Sequence, residues 1–70
     1  MTYTLVVRRG LDSTETSLGA SSDRGYITGL FSATLWAYAA IGYRVTTASD
    51  RIVTCMARDG DYLYIEIKEE

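Results

Sequence analysis

The chain has no histidine and a single cysteine, Cys55, in seventy residues. One thiol cannot close a disulfide within the chain. With no imidazole beside it, that thiol also offers no tetrahedral zinc site. The same absence removes the commonest general base, and neither a Ser/His/Asp set nor a phosphate-binding loop is present. No enzyme, cofactor or metal site is therefore expected. Cys55 sits in "IVTCMAR", where Val53, Cys55 and Ala57 alternate onto one side, and it reads as a small buried filler. Asp59 and Asp61 in "DGD" read as turn residues, since a calcium loop needs further spaced oxygen ligands.

Net charge is also small. A net charge of −2 is too small for a DNA mimic and of the wrong sign for a general nucleic-acid binder. The start, "MTYTLVVRRG", has its arginines after the apolar run, the reverse of a secretory signal. A cytoplasmic location is the corresponding expectation. Repeats, linkers and low-complexity tracts are missing, so residues 1–70 are expected to form one domain. A chain this short buries roughly 60% of its unfolded surface, which makes it marginal unless a partner adds to the core.

The longest stretch without charge is "GYITGLFSATLWAYAAIGY", Gly25 to Tyr43, between Arg24 and Arg44. Ser21, Ser22 and Asp23 supply N-caps before it, and Gly42 stands where a C-terminal glycine belongs, which predicts a helix over about 24–42. Strands are predicted over about 2–9, 43–47, 51–58 and 61–68. The last is the plainest: Leu63, Ile65 and Ile67 alternate with Tyr62, Tyr64, Glu66 and Lys68. Asp59-Gly60 before it is a hairpin signal. Residues 10–23 read as a polar loop, with a short strand near 14–18 as the alternative. The fold class is α+β: a single helix packed on a small, mainly antiparallel sheet in the order β-α-β-β-β.

At 100° per residue, Ile27, Leu30, Phe31, Thr34, Leu35, Tyr38 and Ile41 form one stripe of this helix. Leu5, Val7, Val53, Leu63, Ile65 and Ile67 are its natural partners on the sheet. The opposite side carries Gly29, Ser32, Ala33, Trp36, Ala40 and Tyr43 where charged residues belong. Trp36 is nine residues from Ile27, half a rotation away, so one sheet cannot bury both. The expectation is a homo-oligomer, most simply a dimer, in which these residues meet a second copy. Two alternatives stand beside it. The polar loop folds back over Trp36, or the helix crosses a membrane with Tyr26 and Tyr43 at its interfaces. Against the membrane stand the glycines and the hydroxyls of Thr28, Ser32, Thr34 and Tyr38.

A second candidate partner surface is the outer side of the sheet, with Arg58, Tyr62 and Tyr64. Tyrosines beside arginine also suit single-stranded nucleic acid, the alternative function, although the chain lacks the positive excess such binders use. "LWAYAAIGYRV" and "ARDGDYLYIEI", with arginine as six of the seven basic residues, resemble small orphan accessory proteins of actinobacterial bacteriophages. That resemblance carries no functional motif. It implies a protein of the host-cell cytoplasm that binds a host protein.

Overall fold

The computed structural model describes residues 1–10 and 13–70. The elements run β1 (Tyr3–Arg9), β2 (Glu15–Ser21), α1 (Arg24–Ala40), β3 (Arg44–Ala48), β4 (Ile52–Met56) and β5 (Tyr62–Glu69). One α-helix therefore packs on a five-stranded antiparallel sheet of order β2-β1-β5-β4-β3. The α+β expectation holds, with one strand more than the predicted order. The segment expected as a polar loop, with a short strand near 14–18 as the alternative, is β2, paired with β1 from Tyr3↔Ser21 to Arg8↔Glu15. Residues 11 and 12 of that segment lie outside the described residues.

The first strand is central. β1 lies between β2 and β5, and the chain ends clasp each other: Thr2 N–H donates to the Glu70 carbonyl and Glu70 N–H to that of Thr2, both at 2.9 Å. In β5, Leu63, Ile65 and Ile67 turn toward the helix, where they stand opposite Arg9, Val7 and Leu5 of β1. Leu63 and Ile65 also stand opposite Cys55 and Val53 of β4. Leu5, Val7, Phe31, Val53, Cys55, Leu63 and Ile65 make the buried core, with Leu30, Leu35, Tyr38, Tyr43 and Ile67 packed against it.

The ends of α1 have identifiable causes. Asp23 is the N-cap; its Oδ1 accepts from the amides of Gly25 at 2.9 Å and Tyr26 at 3.3 Å. Such a cap contributes about 1 kcal/mol. At the other end Gly42 has φ +105°, a conformation that glycine adopts without steric cost. Its N–H donates to the Ala39 carbonyl, and Tyr43 N–H donates to that of Tyr38 at 3.1 Å. Those two bonds are the Schellman pattern, and the side-chain contact that accompanies it is Tyr38 against Tyr43, edge-on at 5.4 Å. Inside the helix, the Thr28 and Thr34 hydroxyls donate to the carbonyls four residues back, both at 2.8 Å, so these polar groups need no solvent.

Both outermost strands are bulged. Leu18 is the extra residue in β2, between the pairs Leu5↔Gly19 and Val6↔Ser17. Thr46 is the extra one in β3, between Val45↔Cys55 and Thr47↔Thr54. Bulges at sheet edges hinder regular pairing with another edge. The helix rests on β1, β2 and β5. All five residues of β3 are exposed.

Candidate functional site

The side of α1 turned away from the sheet is bare. Gly29, Ser32, Ala33 and Ala40 are exposed, and Trp36 is 77% exposed in the midst of them. The polar segment does not cover the indole, because it is spent as β2 on the sheet edge. The loop-cover alternative is thereby overturned. No helix among the described residues is long and apolar enough to cross a membrane.

Two residues lie elsewhere than the helical periodicity placed them. Ile41, expected on the core stripe, is 73% exposed. The helix stops at Ala40, and Ile41 is its C-cap with φ −98° and ψ 12°, so helical spacing no longer sets its direction. Tyr43, expected beside Trp36, is turned inward by the Gly42 reversal. It packs on Tyr38 and its hydroxyl donates to Asp61 Oδ2 at 3.1 Å. Tyr43 therefore leaves the outward patch.

Asp61 is the polar centre of that end of the molecule. Its Oδ2 also accepts from the Arg9 guanidinium at 2.9 Å. Its Oδ1 is buried with no hydrogen-bond partner among the described residues. Its own amide donates to Asp59 Oδ1 at 3.0 Å, which closes the turn before β5 and accounts for the "DGD" sequence. Nothing in the sequence pointed to Asp61 as the partner of Tyr43 and Arg9, because the three are brought together only by the sheet. Among the described residues no three His, Cys, Asp or Glu side chains come together as metal ligands.

The outer side of the sheet does not form the single patch Arg58–Tyr62–Tyr64. Tyr62 and Tyr64 stand edge-on with centroids 5.8 Å apart, and the Arg8 guanidinium lies 5.0 Å over Tyr64. The Tyr62 ring covers Gly10 so closely that a Cβ there would come within 2.0 Å of it. These tyrosines are occupied in holding the sheet's own surface. Lys68 of β5 reaches across β1 to Glu15 of β2 at 2.9 Å, and Val6, on the same outer side of β1, is buried. Arg58 is not in a strand. It lies in the β4–β5 turn, beyond Met56 where β4 ends.

Arg58 instead shares a second surface with the C-terminal end of α1. An open groove of about 1030 Å³ runs between the last helical turn, the start of β3 and the β4–β5 turn. Ile41, Met56 and Ala57 give it an apolar lining, and Arg44 and Arg58 line it beside them. Met56 is 42% exposed there.

Three groups hold their protons more tightly in the fold than free in solution. Burial pushes the Cys55 thiol above its ordinary 9.0. Desolvation, then the hydrogen bond to Asp61, raises the Tyr43 phenol above 10.0. The hydrogen bond to Glu15 raises the Lys68 ammonium above 10.5. All three shifts have the same sign. Once pH passes these ordinary values the unfolded chain has released protons that the folded chain retains, so stability falls with rising pH. Urea midpoints are expected to drop as pH rises past 9.0 through the folded values of the three groups, Cys55 marking the onset. Cys55→Ala is expected to delay that onset toward 10.0, where Tyr43 begins to count. A midpoint unchanged across the alkaline range contradicts the assignment.

Compared with models of protein families, with curated proteins and with solved structures, the chain matches none.

Proposed function

We propose that the protein is a non-enzymatic, self-associating protein that acts through contacts with other proteins. Its copies meet through the outward side of α1: Gly29, Ser32, Ala33, Trp36 and Ala40. One observation carries this reading. An indole 77% exposed stands midway along a helix that has no charged residue after Arg24. A solvated helix side ordinarily carries charges, and a helix apolar or small all round is ordinarily covered. Burying most of an indole is worth on the order of 3–4 kcal/mol before the costs of association are taken off. The small side chains beside it let two backbones approach. At Gly29 the space where a Cβ would stand is open, which leaves a shallow seat for the indole of an antiparallel partner helix. The bulges in both outermost strands hinder long, regular pairing between two sheet edges, the alternative way for copies to associate. The resemblance to phage accessory proteins would make the further partner a protein of the host.

Sedimentation velocity on the wild type and on Trp36→Glu tests the reading. The wild type is expected to sediment at a multiple of the single-chain 7.8 kDa at micromolar concentration, and the variant at the single-chain mass with an unchanged far-ultraviolet spectrum. A wild type that stays at the single-chain mass, its indole freely quenched, sinks the proposal.

A further inference from the structure

We propose that the groove at the C-terminal end of α1 is a binding site for a short, extended, acidic segment of another protein. This goes beyond self-association, since the groove includes none of Gly29, Ser32, Ala33, Trp36 and Ala40. It rests on the preceding reading only in taking a polypeptide as the occupant.

Charge comes first. Arg9, Arg51 and Lys68 each pair with a carboxylate of this chain. Arg44 and Arg58, both exposed, have no such partner among the described residues. They line the same groove with one acid, Asp59, so two cations stand there against one anion. Two free guanidiniums beside an apolar lining select a ligand that carries carboxylates next to apolar groups, because arginine's fork matches a carboxylate. Met56 adds a flexible side chain able to adapt to different apolar partners.

Backbone comes second, and it separates a peptide from a fatty acid or another small anion. β3 pairs on one side only, with β4. Its other edge presents unpaired N–H and C=O groups beside the groove, and an added strand satisfies these while a carboxylate on an alkyl chain does not. The Thr46 bulge keeps the added ladder short. A second copy's β3 is a poor occupant: "RVTTA" brings a cation and no acid to the two arginines. The segment that fits carries acidic and apolar side chains within a few residues of one another, to meet the arginines and the apolar residues of one groove.

The test is an amide-resolved NMR titration with acetyl-Glu-Leu-Glu-Val-Glu-Leu-amide, with the Lys-Leu-Lys-Val-Lys-Leu counterpart and decanoate as controls. Saturable shifts are expected at residues 44–46 and 56–58, weakening with added salt. Arg44→Glu with Arg58→Glu is expected to weaken binding by at least ~10-fold, the scale of one lost charge-assisted contact. Both positions are exposed and unpaired, so that variant is expected to fold, and its spectrum checks this. No saturable shift at the groove, equal affinity in the folded double variant, or equal saturation by decanoate or by the lysine peptide overturns the proposal. Trp36→Glu is expected to bind as the wild type does. A single-chain wild type that still binds the acidic peptide sinks self-association and leaves the groove standing; an associated wild type that binds no peptide does the reverse.

Discussion

Ile65→Ala is expected to lower the stability of the folded chain by about 2–5 kcal/mol, the usual result of cutting a fully buried isoleucine to a methyl group. A domain of this length has about 4–10 kcal/mol in all, so the loss is a large share of its stability. The position is severe for a structural reason. Ile65 is 0% exposed on β5, the middle strand of five, and stands opposite Val7 on one side and Val53 on the other. Both neighbours are themselves buried, so no solvent-facing side chain can swing in to fill the space. Ile65→Val, which removes one methylene, is the control, with an expected loss of about 0.5–1.5 kcal/mol. Urea denaturation of the three proteins decides the matter. A loss under about 1 kcal/mol for the alanine variant would mean that the core is centred elsewhere.

The legible parts of this fold are those where one element bears its own signal. β5 alternates strictly because one side packs under α1 while Tyr62, Tyr64, Glu66 and Lys68 line the other. Asp23 and Gly42 mark the helix because caps are local chemistry. β2 was only partly legible, a short strand near 14–18 standing as the alternative to a loop. Its sequence, ETSLGAS, is nearly all exposed, and where α1 crosses it the contact is made by Gly19 against Leu30, so the hydrophobic alternation written there is weak. It is a strand because β1 offers a free edge, which is a tertiary fact. The place of β1 was hidden for the same reason, since its pairing with β5 joins opposite ends of the chain.

The candidate surfaces divide in the same way. The outward helix residues from Gly29 to Ala40 follow from 3.6-residue periodicity and stand where it put them. Ile41 and Tyr43 do not, because the helix stops at Ala40 and the chain reverses at Gly42. The groove had no signal at all. It exists because α1 rests on three of the five strands, and its apolar lining and two arginines come from separate segments with no common spacing.

Phe31 and Trp36 stand five residues apart on one helix and are expected to answer alanine substitution in opposite ways. Phe31 is 9% exposed and belongs to the core, so Phe31→Ala is expected to cost about 3–5 kcal/mol at every protein concentration. Only Ile27 and Phe31 of α1 are buried, which leaves the helix few other anchors. In the dissociated chain Trp36→Ala is expected to change stability by no more than about 0.5 kcal/mol, since the indole touches water there and alanine is the better helix former. The difference appears on raising concentration. Association stabilises the folded form by mass action, so the wild-type urea midpoint is expected to climb with protein concentration. Phe31→Ala, where it still folds, keeps that climb from a lower start, and Trp36→Ala loses it. Denaturation curves at two concentrations a hundredfold apart separate the two roles. Equal, non-zero climbs for wild type and Trp36→Ala would show that the second copy docks somewhere other than on the indole.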